Sequence, residues 1–274
     1  MQFDSATSPG RPDRANEDYF GSTEDVAVLL DGAGTPDGVE SGCTHGVAWF
    51  SHTLGKALLD ITAQQPAVDL AIHVRHAIDY VAGQHRHTCD LRHPGSPSAT
   101  VIVTRFVETE LQYLVLADSV LLLDTSSGPV AITDDREAQV GQRLRQEMDR
   151  LPTSSDAHAE ALAGYVRSLW SHRNQPDGFW VASSEPRAAD EALTASIGVE
   201  DVQSVALLSD GASRLVDRFH LSTWQQTIQL LGEQGPAALI QRVRQAERSD
   251  PDGTRWPRGK IHDDATAAIT RTGR

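Results

Sequence analysis

Two apolar runs, VAVLL from Val26 to Leu30 and VQSVALL from Val202 to Leu208, are each cut off by aspartate and glycine, at Asp31-Gly32 and Asp210-Gly211. Such runs read as buried strands stopped by a turn. A carboxylate at the mouth of a buried strand has its backbone fixed by the sheet, so several strands ending this way can aim their acids at one point. Three more acidic sites share the context: Asp18 in RANED, Asp118 in LADSV and Asp263 in HDDAT. Either Asp-Gly pair alone is ordinary turn chemistry. Five acids in one context, four of them abutting apolar runs, favour a common centre instead. An oxygen-rich cluster of this kind suits hard divalent cations such as Mg²⁺ and Mn²⁺, which keep several waters. Glycine after Asp31 and Asp210 permits a tight turn and lets backbone carbonyls approach an ion.

Between these landmarks the periodicity changes. Val47, Phe50, Leu54 and Leu58 recur near a period of 3.6, and Val68, Ile72, Ile78 and Val81 continue a similar stripe, which predicts two amphipathic helices. Residues Ala99 to Phe106, Leu111 to Leu116 and Val120 to Leu123 are short β-rich runs with polar breaks, spaced like a meander. Residues 135 to about 178 are polar and helical in pattern and read as an insert within a single unit spanning 1–274. A strand-like Phe179 to Ala182 follows, then a helix around Glu185 to Leu193. From Leu221 to Ala246 the pattern is helical, interrupted at Gly235-Pro236, where proline can open a second helix. Ala265 to Thr270 closes the chain as a strand. Strands in groups with paired helices between them predict an α+β fold layered on antiparallel sheets, not a doubly wound parallel one.

Charge narrows the partners. With 24 basic against 38 acidic side chains the net charge is −14, which repels nucleic acid and anionic membranes. A phosphorylated substrate would need local compensation, and divalent cations shared among clustered carboxylates supply it. No apolar run reaches the roughly 18 residues of a membrane span, and MQFDSATSPGRPDR has no apolar core of a secretory signal. Cys43 and Cys89 are the only cysteines, which excludes a disulfide framework and fits a reducing compartment. The expected location is the cytoplasm.

In order and spacing, Asn16-Glu17-Asp18, Asp31-Gly32-Ala33-Gly34, Ala99-Thr100, Asp118-Ser119, Ser209-Asp210-Gly211 and Asp263-Asp264-Ala265-Thr266 resemble the signature blocks of type 2C metal-dependent protein serine/threonine phosphatases of the bacterial type (the PPM family). Thr133-Asp134-Asp135-Arg136 also sits where the family has a Thr-x-Asp-His stretch. The likeness runs from about residue 10 to residue 271. It implies a four-layer αββα sandwich, two antiparallel sheets flanked by pairs of helices. It also implies a pair of Mn²⁺ or Mg²⁺ ions with a third as an accessory, and hydrolysis of phosphoserine and phosphothreonine by a metal-activated water without a covalent intermediate. By motif, Asp31 would bridge the two ions and the Gly32 carbonyl would complete one sphere. Asp18, Asp210 and Asp263 would bind directly or through water, Asp118 would serve the third ion, and Glu17 would hold a coordinated water. A phosphate-binding arginine usually precedes Asn-Glu-Asp. Arg14 is the choice here and Arg11 the alternative. The insert would be the flap that shapes access to a phosphoprotein bound by a monomer.

The chain departs from that pattern in places. The family's Gly-Asp-Ser-Arg reads Ala117-Asp118-Ser119-Val120, and Ala33 stands where some members have a histidine. These departures motivate two alternatives, a phosphatase-fold regulatory module with weakened turnover and a small-molecule phosphomonoesterase. His85, His87, Cys89 and His93 invite a zinc reading. Cys43 shows no partner motif, so a solvated helix end is preferred, with His73 and His76 also expected at the surface. No Gly-x-Ser-x-Gly elbow and no P-loop is present. Arg255, Arg258 and Lys260 either solubilise a turn or gather phosphosubstrate.

Overall fold

The computed structural model of the chain describes residues 2–36 and 38–272, so residues 1, 37, 273 and 274 of the expected 1–274 unit lie outside it. In chain order the elements are β1 (Asp4–Ser8), β2 (Tyr19–Ser22), β3 (Val26–Leu30), β4 (Gly32–Ala33), α1 (Val47–Gln64), α2 (Leu70–His85) and β5 (Ser98–Ala99). Next come β6 (Val101–Val107), β7 (Glu110–Leu116), β8 (Val120–Thr125), β9 (Gly128–Ile132), α3 (Arg136–Met148) and α4 (Asp156–Trp170). The chain continues with a 3-10 turn at Pro186–Glu191, β10 (Leu193–Gly198), β11 (Val202–Leu208), α5 (Asp210–Asp217), α6 (Trp224–Gln234), α7 (Pro236–Ser249) and β12 (Ala265–Arg271).

Two five-stranded sheets form, in the orders β1-β12-β11-β8-β9 and β10-β7-β6-β3-β2, with every neighbouring pair antiparallel. Successive side chains of a strand point to opposite faces. Val26, Val28 and Leu30 therefore meet Phe50, Leu54, Leu58, Val74 and Ile78 of α1 and α2. Ala27 and Leu29 turn the other way and meet Leu121, Leu123, Val205 and Leu207 of the second sheet. Both faces of β3 are covered, which is why its sequence shows no polar alternation. On the far side Leu122, Ala206, Leu208 and Ala267 pack under Leu215, Ile228, Leu239 and Val243 of α5, α6 and α7. The layering is αββα, as the family resemblance implies, with each fully buried leucine stabilising it by about 1.5–3 kcal/mol.

Three local expectations change. Phe179 to Ala182 is not a strand of either sheet and makes only isolated bridges, Ala99 to Ala182 and Arg173 to Phe179. Those two pairings hold it as a spine beneath α4, where Phe179 and Val181 join Ala117, Tyr165 and Leu169. The segment after Glu185 is a short 3-10 turn capped by the Glu185 carboxylate. His73, expected at the surface, faces inward from α2 and is fully buried, and burial lowers its pKa. Among the described residues no helix is long and apolar enough to cross a membrane.

Candidate metal centre

The two sheets deliver the ends of their inner strands to the same edge of the sandwich. Asp31 follows β3, Asp118 lies in the turn between β7 and β8, Asp210 is the first residue of α5 straight after β11, and Asp263 and Asp264 precede β12. Strand register does the rest. Tyr19 pairs with Leu30, which sets Asp18 beside Asp31, and Leu208 pairs with both Ala267 and Val120. Across the sheets, the Asp210 amide donates to Asp31 Oδ2 at 3.0 Å. Asp31 is held in turn by its amide on Thr100 Oγ1 and by the Thr100 amide on its carbonyl.

Glycine is required where these strand ends touch. A Cβ at Gly211 would fall 1.9 Å from the Asp264 carbonyl oxygen, and one at Gly32 would fall 2.6 Å from that of Glu17. Asp264 binds the N-terminal segment from the other side, accepting from the amides of Gly10 at 2.7 Å and Glu17 at 2.6 Å. Residues from both ends of the chain are thereby clamped around the cluster.

The electrostatics are those of an acid cluster short of positive charge. Asp18 is buried, and neither of its carboxylate oxygens has a hydrogen-bond partner. Burial raises its pKa to about 7, helped by Asp264 and Asp263 and opposed by the nearby hydroxyls of Thr266 and Ser209. Burial, and then the charges of Asp18, Asp210, Asp263 and Asp118, hold Asp31 well above the carboxylate range. Asp210 is raised by burial and by Asp263, with Arg214 pulling against it. Asp263 moves the other way: burial acts against its charge, but Lys260 and Arg214 outweigh it and lower the pKa. Lys260 Nζ sits 2.7 Å from Asp263 Oδ1, and Arg214 Nη2 sits 2.8 Å from Oδ2. Among the described residues no three of these acids bring ligand oxygens within 4.8 Å of one another.

The structure adds residues that the motifs did not supply. Glu137, in the first turn of α3, lies by Asp118 and Asp210. Burial raises its pKa to about 7, and Asp118 is raised well above its ordinary value by burial and by the Glu137 charge. Glu137 is one residue past the Thr133-Asp134-Asp135-Arg136 block, and only the fold of α3 brings it inward. Behind Asp263, the fully buried Glu247 accepts from Arg214 at 2.7 Å and Arg244 at 2.8 Å, and pairs with His262 at 2.7 Å. Where the family carries arginine, Val120 packs into the helix-covered core, and Ala117 turns the chain at φ 71. Arg136, in the place of the family's histidine, is tied to Asp134 at 2.6 Å and to Glu191.

Of the two candidate arginines, Arg11 pairs with the exposed Asp13 at 2.8 Å. Arg14 is near enough to favour the Glu17 charge, although burial holds the Glu17 pKa up overall. Of the three loop cations only Lys260 reaches the acids. Arg258 is fully buried and donates to Asp250 and to the carbonyls of Trp256 and Ile261, while Arg255 stacks over Trp256 at 4.2 Å. The idea that all three gather substrate is corrected: Arg258 is a structural keystone.

A protein phosphatase 2C family model matches residues 10–244. Among solved structures, the Mycobacterium tuberculosis serine/threonine phosphatase PstP is 17% identical over 98% of this chain and 97% of its own, with a TM-score of 0.58. The PstP catalytic domain in complex with 2 manganese ions is 17% identical over 98% of this chain and 96% of its own, with a TM-score of 0.57. The phosphatase MsPP from Mycobacterium smegmatis is 16% identical over 100% and 99%, also with a TM-score of 0.57. No curated protein matches the chain significantly.

Proposed function

Because the chain belongs to the protein phosphatase 2C family and is a phosphatase of that serine/threonine type, we propose that it removes phosphate from phosphoserine and phosphothreonine in proteins, using the acid cluster as a Mn²⁺ or Mg²⁺ centre. One observation carries the reading: Asp18 is buried with both oxygens unpartnered among acids that raise one another's pKa values. Such an arrangement is costly unless a cation is shared. In this reading Asp31, Asp210, Asp18 and Asp263 hold two ions with the Gly32 carbonyl. Asp118 serves an accessory ion, with Glu137 beside it, and Glu17 orients a water at the rim. When bound, the ions supply charge to neutralise a phosphate and a water of lowered pKa.

The chain's own groups position the rest. Arg14 and Lys260 offer local positive charge for a phosphate that the net charge of −14 would otherwise repel. The Asp210 amide on Asp31 fixes the two sheet ends relative to each other, so little reorganisation is needed during the reaction. Ala33 is exposed and carries no proton to give, so the leaving alkoxide takes one from solvent. Helices α3 and α4, the proposed flap, wall the Asp118 side. We assign the protein to the cytoplasm as a monomer acting on phosphoproteins, with no nucleic-acid or membrane partner.

Hydrolysis of a chromogenic phosphate ester with Mn²⁺ or with EDTA, followed by phosphoserine, phosphothreonine and phosphotyrosine peptides, tests the reading. A metal-dependent rate with preference for the first two peptides is expected. A second reading, the regulatory module, draws on Lys260, whose ammonium already occupies Asp263. It requires that no metal-dependent rate be found.

A further inference from the structure

Away from the acid cluster, the loop between β4 and α1 approaches the end of α2. Cys43 and His45 come from the loop, His85 is the last residue of α2, and Cys89 lies in the turn that follows. One ligand atom from each of the four lies within 4.8 Å of the other three. We propose that Cys43, His45, His85 and Cys89 form a tetrahedral Zn²⁺ site.

The spacing supports this directly. Cys43 Sγ and Cys89 Sγ are 3.3 Å apart, and both thiols are free. Cys43 Sγ is 3.6 Å from His85 Nδ1 and 3.9 Å from His45 Nδ1, and Cys89 Sγ is 3.2 Å from His45 Nδ1. A zinc ion with Zn–S of about 2.3 Å and Zn–N of about 2.0–2.1 Å sits in a tetrahedron with edges of roughly 3.3 to 3.8 Å. The four distances straddle that range. Two thiolates and two imidazoles favour zinc over the hard cations suited to the aspartates. With all four positions filled by protein the site is of the closed, structural kind.

The surroundings are built to hold it. Trp49 of α1 packs against both imidazoles, with ring centroids 4.4 Å from His45 and 5.0 Å from His85. The hydroxyls of Thr44 and Thr88 lie 3.8 and 3.7 Å from Cys89 Sγ. Gly42 and Gly46 flank the Cys43 to His45 turn at φ 69 and φ 80. A Cβ at Gly42 would fall 2.4 Å from that of His93, so only glycine allows the two segments this close. The Asp90 amide donates to the Gly42 carbonyl at 2.9 Å. Val47, just beyond this turn, packs on Gly32 and Gly34, so the zinc would fasten the loop that backs the acid cluster. The partner motif for Cys89 is thus Cys43-x-His45. His87 is exposed outside the cluster, and His93 is fixed by the Gly95 amide and Trp170.

The test uses the intact protein purified under reducing conditions and desalted in Mn²⁺ buffer. It should retain about one zinc per chain by elemental mass spectrometry. Metal-stripped protein refilled with Co²⁺ should show thiolate-to-cobalt charge-transfer bands, which carboxylate sites cannot give. Zn²⁺, and not Mn²⁺, should slow alkylation of both thiols by about tenfold or more. Cys43→Ser and Cys89→Ser should lose the cobalt bands. Where those variants fail to fold, the cobalt spectrum and thiol protection of the unmodified protein decide alone. Absence of the charge-transfer bands, equal alkylation with and without Zn²⁺, or a Cys43–Cys89 disulfide in place of the metal would overturn the assignment.

Discussion

Replacing Asp18 with asparagine keeps the shape of the side chain and removes its charge. In the metal-free protein the folded pKa of Asp18 stands at about 7 against an ordinary 3.8. The folded state therefore holds a proton that the unfolded state releases between those values, and stability falls as pH rises through that window. At about 1.4 kcal/mol per tenfold in proton affinity, the full cost at pH 8 is of order 4 kcal/mol. Part of it is relieved when neighbouring acids protonate in its stead. Asp18→Asn should therefore be more stable than the parent protein in EDTA at pH 8, by on the order of 2–4 kcal/mol, with little advantage near pH 4. Added Mn²⁺ should close most or all of that gap. The parent gains about 2.7 kcal/mol when the ion is at a hundred times its dissociation constant, and the variant gains little. Urea denaturation at the two pH values, with EDTA or Mn²⁺, reads all of this. An Asp18→Asn protein that is less stable in EDTA at both pH values, or that Mn²⁺ stabilises as much as the parent, would refute the reasoning.

Other substitutions separate frame from chemistry. Arg258→Ala should cost about 3–5 kcal/mol in urea denaturation because it strands buried Asp250, whereas Arg255→Ala, on an exposed stack, should stay within about 1 kcal/mol. Gly211→Ala drives a methyl into the Asp264 carbonyl and should abolish Mn²⁺-dependent stabilisation by separating β11 from β12. Gly164→Ala, in open space on α4, should raise stability by about 0.5–1 kcal/mol with activity unchanged. Lys260→Met should tighten Mn²⁺ binding by freeing Asp263 and raise KM for a phosphopeptide severalfold, on the order of 1 kcal/mol. Calorimetric titration and initial rates check the two effects separately.

How much of this was legible in the sequence depends on burial. Strands β3, β6, β7, β8, β11 and β12 lie inside the sheets, carry near-continuous apolar side chains and could be read directly. The other four strands of the two five-stranded sheets, β1, β2, β9 and β10, carry no such signal and are the sheets' four edges. Edge strands are half-solvated and blunted with polar residues, so DSATS and LTASIG have nothing to distinguish them from loop. The acids at strand ends were legible because Asp-Gly after an apolar run is a local pattern. Glu137 was not, nor was which of Arg255, Arg258 and Lys260 reaches the acids, since those placements come from how α3 and the 250–262 loop pack. Cys43 and His45 show the same limit: a four-ligand cluster split between two segments looks like two weak pairs until the chain folds.

The most direct trial of the account is diffraction from a crystal grown in Mn²⁺, measured at the manganese absorption edge. Two anomalous peaks lying among Asp18, Asp31, Asp210 and Asp263 are expected. Peaks elsewhere, or none with those carboxylates arranged as they are without metal, would contradict it.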